Sequence, residues 1–167
     1  MIAPLQKDDA LLADLARPIP PDALRVWWLG QSGYVVRCGG STLVLDPYLS
    51  DYITEKYAAT DKPHVRMTEL VIAPDRLTGA DVVTSSHNHT DHLDAETLNP
   101  LRRANPGIEL VLPEANRDFV TDRLGIDVAE PIGLDDGTSA TVAGWEFHGI
   151  AAAPGLSTTS ATGISPH

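Results

Sequence analysis

The sequence predicts a mixed α/β layered fold, and three observations carry that prediction. Apolar runs rich in Val, Leu and aromatic residues crowd positions 24 to 50 and are separated by glycines. From residue 80 onward, short apolar runs alternate with longer stretches of helical character. The chain has 167 residues, 43% of them hydrophobic, which suits one domain with a sizeable core and makes two independent domains an unlikely fit. Strands first, then strand and helix in alternation, is the order expected of packed α and β layers.

Asp8 to Ala16, DDALLADLA, sets leucines at 11, 12 and 15 behind paired acids. That is the pattern of a short amphipathic helix with negative charge at the positive end of its dipole. RPIPP at 17–21 stops it, so residues 1–23 form a helical lead-in. LRVWWLG, GYVVRCGG and STLVLDPYLSD follow as two or three consecutive antiparallel strands, with Gly39-Gly40 as the hairpin turn. Residues 52–70 have no clean period and read as an irregular excursion with a short helix; loops of that length are often functional. Ala73 to Leu77 reads as a helical turn entered through Pro74, and Ala80 to Ser85 as a short buried strand.

Asp94 to Ala104 reads as a helix capped by Asp94, which Pro100 is expected to kink or shorten. IELVL at 108–112 is a strand, and PEANRDFVTDRLG a helix from Pro113 to a Gly125 cap. GTSATVAGWEFHGIAAAP gives two strands about a turn at Gly144. The small, polar tail of residues 154–167 is expected to end without a closing helix or strand.

Composition narrows the function. Twelve basic against twenty-three acidic residues give a formal charge of −11, which argues against a broad nucleic-acid footprint. No apolar run approaches the ~20 residues of a membrane span. The first residues carry acids where a secretory signal would carry bases, so a cytoplasmic protein is expected. Cys38 is the only cysteine, which excludes an intrachain disulfide and leaves His, Asp and Glu to hold any metal.

The stretch SSHNHTDHLD places His87, His89, Asp91 and His92 in an H-x-H-x-D-H pattern directly after an apolar strand. Imidazole and carboxylate are favoured ligands of divalent transition metals, and a tight turn at a strand end lets such side chains converge. The competing interpretation is a loop of solvated histidines. Burying three imidazoles and a carboxylate without a cation would leave them poorly satisfied, and Asp81 and Asp94 are candidates to support the ligands from behind.

This motif is similar to the signature of the metallo-beta-lactamase superfamily. Upstream, VWWLGQSGYVVRCGGSTLVLDPYLSD resembles that superfamily's opening strands, with Asp46 at the acidic position ending a strand near the site. The tandem Trp27-Trp28, the Leu29–Gly33 turn and LTGADVVTSSHNHTDHLD resemble the branch that includes L-ascorbate-6-phosphate lactonase, and the likeness spans residues 24–153. The resemblance implies an αββα sandwich holding two divalent metal ions, zinc or manganese. His87 and His89 would take the first ion and Asp91 and His92 the second, with Asp91 also orienting or deprotonating the attacking water. Gly30 to Gly33 would support the site or form a plain turn. The implied function is a metal-dependent hydrolase in which metal-activated water attacks a lactone, ester or phosphoester of a small-molecule substrate; an oligomer is compatible with it.

The chain also departs from that pattern. No Gly-Asp strand end and no distal ligand histidine follows residue 92; His148 lies mid-strand, as a ligand or a packed histidine, and His167 is the last residue. The chain is therefore expected to be one incomplete domain, the N-terminal half of the sandwich and little more, whose first sheet exposes an apolar face. Two alternative functions follow: a metal-binding but catalytically incompetent fragment, and a nucleic-acid phosphodiesterase, which the acidic balance disfavours. Arg66 and Arg76 read as anion contacts or ordinary surface arginines.

Overall fold

A computed structural model describes residues 1–150, together with the backbone of 151 and 160–166. Its first sheet begins as a meander. Strands β1 (Leu24–Gly30), β2 (Gly33–Cys38) and β3 (Ser41–Leu45) pair antiparallel in sequence order, in the register Val26↔Val36 and Val35↔Val44. The β2–β3 hairpin turns on Gly39 and Gly40 at φ 57° and 88°, the left-handed pair that a two-residue hairpin requires. From β3 onward the pairing is parallel, through β4 (Val82–Thr84), β5 (Glu109–Pro113) and β6 (Ile132–Leu134), and the order across the sheet is β1-β2-β3-β4-β5-β6.

Adjacent residues in these strands point to opposite faces, and each face has its own core. On one side Val35, Val44, Val83, Leu110 and Leu112 pack beneath helices α1 (Asp9–Leu15), α3 (Ala95–Ala104) and α4 (Arg117–Leu124), through Leu11, Leu98, Leu101, Val120 and Leu124. The lead-in is thus part of the helical layer, fastened there by Trp27 Nε1 donating to Asp14 at 2.8 Å. On the other side Val36, Leu43, Val82, Val111 and Leu134 meet Val142, Trp145 and Phe147 of a second sheet. That sheet is antiparallel, ordered β7 (Ser139–Val142), β8 (Trp145–Ala151), β9 (Ser160–Pro166). The described residues therefore build three layers: helices, mixed sheet, antiparallel sheet.

Several expectations require correction. The tail does not end without a strand: β9 pairs with β8 from Trp145↔Pro166 to Ala151↔Ser160. Its backbone pairs with the edge of β8, a partner that residue order does not announce. Strand β6 was not anticipated either: unlike the equally short but fully buried β4, its three residues Ile-Gly-Leu are only partly buried and include a glycine. Helix α3 is not shortened at Pro100 but continues to Ala104. Proline there withdraws one backbone donor, and buried Leu98 and Leu101 hold both sides of it to the core. Much of the first sheet's second face is covered by Val142, Trp145 and Phe147 of β7 and β8, while its β1 end leaves Leu24, Val26, Trp28 and Tyr34 exposed.

Other expectations match. Asp94 caps α3 by accepting from the Glu96 amide at 3.2 Å, Gly125 closes α4 at φ 67°, and Pro74–Arg76 forms a single helical turn. Residues 52–70 hold only the short helix α2 (Tyr52–Tyr57) before an irregular path. Among the described residues no helix is long and apolar enough to cross a membrane.

Candidate metal centre

Because β3 and β4 run parallel, their C-terminal ends emerge side by side, Leu43 opposite Val82 and Val44 opposite Val83. Asp46 follows the first and Ser85–Ser86 the second. Past β4 the chain turns at once: His92 N and Leu93 N both donate to His89 O, at 3.0 and 2.8 Å. Leu93 is fully buried beneath the turn, and its carbonyl accepts from Arg123 of α4 at 3.0 Å. That anchor holds the three imidazoles above the strand ends. The His87 ring centroid lies 4.7 Å from that of His89 and 4.0 Å from that of His92.

The structure brings His87, His89, Asp91 and His92 together. Ligand atoms of Asp46, His87 and His92 lie within 4.8 Å of one another, as do those of His87, His89 and Asp91, so two triads share His87. An ion at the usual ~2.1 Å from nitrogen or oxygen would draw either triad in by roughly an ångström, so the donor set fits one or two divalent metals. His148 belongs to neither triad; it is exposed on β8, with Nε2 3.4 Å from Glu146. His167 lies outside the described residues.

Asp46 organises the rest. Its Oδ1 accepts from Thr84 Oγ1 at 2.6 Å and from the Ser86 amide at 3.0 Å; its Oδ2 accepts from the Ser86 hydroxyl and from His92 Nδ1 at 2.7 Å. Burial pushes the Asp46 carboxyl up, but the hydrogen bonds from His92, Ser86 and Thr84 outweigh it and hold the pKa below the usual value. An ionised carboxylate only accepts, so His92 Nδ1 carries a proton, and in the neutral ring Nε2 is the nitrogen that keeps the lone pair. Ser86, its single proton given to Asp46, can accept from His87 Nδ1 at 3.3 Å, which frees Nε2 of His87 in the same way. With both its oxygens fully engaged, Asp46 is a positioning residue for His92 more readily than a ligand.

The electrostatics distinguish the two histidines. Burial, then the charges of His92 and His89, lower the pKa of His87 and keep it neutral, the form that binds metal. Burial also pulls His92 down, but the hydrogen bond and charge of Asp46, with Asp91, win and raise it. Asp91 is half-exposed, its carboxylate 3.7 Å from His92 Nε2, and is free to face solvent. Ser32 ties the Gly30–Gly33 turn to the site by reaching both Asp91 O at 2.8 Å and Asp46 O at 3.2 Å.

Sequence reasoning missed Thr84, Ser86 and Ser32; hydroxyl residues beside a ligand motif were the available signal. It also misplaced two acids. Asp81 sits at the opposite end of β4, bound to Thr42 N at 2.8 Å, because a three-residue strand already carries it ~10 Å away. Asp94 is spent on capping α3 and accepting from Thr97. Arg76 is a surface residue paired with Asp8 and Asp9, whereas Arg66, 4% exposed, is not.

Comparison with known proteins gives a family model described as "Beta-lactamase superfamily domain", which matches residues 25–160. Among curated relatives, the mitochondrial N-acyl-phosphatidylethanolamine-hydrolyzing phospholipase D of Saccharomyces cerevisiae is 34% identical over 71 residues, 42% of this chain and 14% of that protein. The N-acyl-phosphatidylethanolamine-hydrolyzing phospholipase D 1 of Caenorhabditis elegans is 27% identical over 122 residues, 71% of this chain and 30% of its own length. The chain thus spans less than a third of either. Solved structures of similar fold include CmlA, a diiron beta-hydroxylase from Streptomyces venezuelae, at TM-score 0.57 and 22% identity over 89% of this chain and 28% of that one. A metallo hydrolase from Ignicoccus hospitalis matches at TM-score 0.52 and 20% identity over 86% of this chain and 56% of that one.

Proposed function

The chain belongs to the beta-lactamase superfamily domain family, and from that premise we propose that it is a metal-dependent hydrolase acting on a small-molecule ester, lactone or phosphoester. The observation that carries this reading is the convergence of His87, His89 and Asp91 at the ends of two parallel strands, with His92 beside them and its Nδ1 hydrogen-bonded to Asp46. The names of the phospholipase relatives favour the phosphoester within that set.

His87, His89, Asp91 and His92 would hold the metal. When bound there, a divalent cation lowers the pKa of water and polarises a carbonyl or phosphoryl oxygen. The chain's own residues supply the remainder. Asp91, the most solvent-facing carboxylate of the cluster, accepts a hydrogen bond from the attacking water and orients it. Neutral His87 needs no deprotonation before it binds. The buried Asp46 carboxylate fixes the angle of His92, and Ser32 holds the Asp91 backbone against the Gly30–Gly33 turn.

The test is metal content and turnover measured together, on a panel of a lactone, a neutral ester and a phosphodiester. Metal that is retained together with hydrolysis of one class supports the reading. His89→Ala is expected to lose bound metal, and Asp91→Asn to lose turnover at least tenfold while staying folded. Tightly bound metal with no hydrolysis of any class would leave a metal-binding, non-catalytic protein and overturn the proposal. Cleavage of single-stranded RNA alone would replace the substrate class.

A further inference from the structure

Beside the metal centre lies a cleft of ≈ 210 Å³ whose wall includes Gln31, Tyr48, Ile53, His64, Arg66 and Asp91. Arg66 is the unusual member. Its side chain is almost entirely buried, and its Nε and Nη1 have no hydrogen-bond partner. A buried guanidinium normally has its donors satisfied, because each unmet donor bears its full desolvation cost. Only Nη2 is engaged, donating to Tyr48 O at 2.5 Å. The Tyr48 ring lies against the guanidinium, 4.7 Å from its carbon to the ring centroid, and fixes its plane. Nε is ion-paired at 3.4 Å with Asp51, which is itself half-exposed, so the charge is only partly compensated. Burial accordingly pushes the Arg66 pKa below its ordinary value, ahead of the opposing influence of Tyr48 and Asp51.

An arginine immobilised on one side, with Nη1 unmet and Nε held only by a 3.4 Å ion pair, on the wall of a cleft that also includes the half-exposed Asp91, has the chemistry of an oxyanion receptor. The rest of the molecule makes this local positive charge stand out, because the chain as a whole carries −11 and repels anions. We propose that Arg66 forms an anion-binding subsite of the metal centre, taking a phosphate or carboxylate oxygen of the substrate while the scissile bond lies toward Asp91. This deepens the hydrolase reading and rests on it for the word substrate; the binding of an oxyanion at Arg66 does not.

Two measurements separate the proposals. Metal-free protein is titrated with inorganic phosphate and, in a second arm, with acetate, following the arginine Nε resonances by nitrogen-15 NMR and the affinity by calorimetry. The Arg66 Nε resonance is expected to shift with one of the two anions, and the arm that saturates at lower concentration identifies phosphate or carboxylate chemistry. Arg66→Gln is expected to weaken that binding at least tenfold, with Arg66→Lys in between. Saturable binding without an Arg66 shift, equal affinity in Arg66→Gln, or no binding of either anion overturns the subsite. The wild-type resonance decides the matter even if Arg66→Gln does not fold. With metal restored, Arg66→Gln should raise KM for bis(4-nitrophenyl) phosphate at least tenfold and leave KM for 4-nitrophenyl acetate within twofold. If the wild type hydrolyses neither compound, the hydrolase reading fails while the anion titration still judges Arg66.

Discussion

Replacing Asp46 by Asn tests how the metal centre is held. The carboxylate accepts four hydrogen bonds, two on each oxygen, from Thr84, the Ser86 amide, the Ser86 hydroxyl and His92. An amide of the same shape has one acceptor oxygen. If that oxygen stays with Thr84 and the Ser86 amide, the new NH2 group faces the Ser86 hydroxyl and His92 Nδ1. His92 then either loses its anchor or changes tautomer so that Nδ1 accepts. The second outcome moves its proton to Nε2, where it blocks the lone pair offered to a metal. Loss of such an orienting partner typically lowers metal affinity about 10–100-fold, or about 1.4–2.8 kcal/mol at 1.4 kcal/mol per tenfold. Hydrogen bonds to a charged group contribute about 1.5–3 kcal/mol to stability, so the variant should also unfold at lower denaturant, yet remain folded given the usual ~5–15 kcal/mol of a domain. The assay is competition for Zn²⁺ or Mn²⁺ against a chromophoric chelator at fixed pH, beside a denaturant curve. Affinity within twofold of the wild type would show that Asp46 does not set the His92 tautomer.

Phe147 is fully buried between the two sheets, so Phe147→Ala should cost about 3–5 kcal/mol; a shift under 1 kcal/mol in chemical unfolding would mean that the second sheet is not packed on the first. Gly149→Ala would place a methyl group 1.9 Å from the Asp135 carbonyl oxygen, a backbone atom that cannot swing aside, and should destabilise by about 1–3 kcal/mol, read as a lower Tm. Glu114 is held below the usual carboxylate range chiefly by its Arg117 partner. Its folded pKa is depressed, so this contribution is complete above the unfolded value of 4.5 and is lost as the pH falls through the folded one. The group is 38% exposed, so Glu114→Gln should cost no more than about 0.5 kcal/mol at pH 7, and the difference from the wild type should shrink as the pH falls below 4.5 in urea titrations. A difference that grows on acidification would reverse the assigned sign.

Much of the fold could be read directly from residue order because its causes are local. The Gly39-Gly40 turn, the Asp94 cap and the Gly125 stop each depend on the backbone needs of one or two residues. The alternation in Val35-Val36, Leu43-Val44 and Val82-Val83 likewise announces strands buried on both faces, since each neighbour serves a different core. The candidate ligands were visible for the same reason: His87, His89, Asp91 and His92 share one turn. What escaped was whatever depends on a distant partner. β9 forms on the open edge of β8, and β6, Ile-Gly-Leu, lacks the continuous Val run that marks the equally short β4.

By itself the sequence determined the order of elements, the ligand motif and its place at a strand end, because these follow from spacing along a single segment. Only the tertiary structure decided that Asp46, 46 residues before His92, fixes that imidazole, that Asp81 and Asp94 are occupied elsewhere, and that Arg66 is buried beside the centre rather than exposed. The physical reason is that a side chain's charge state and partners are set by what the packing of separate strands and loops brings within ~3 Å of it, and residue order does not specify that distance.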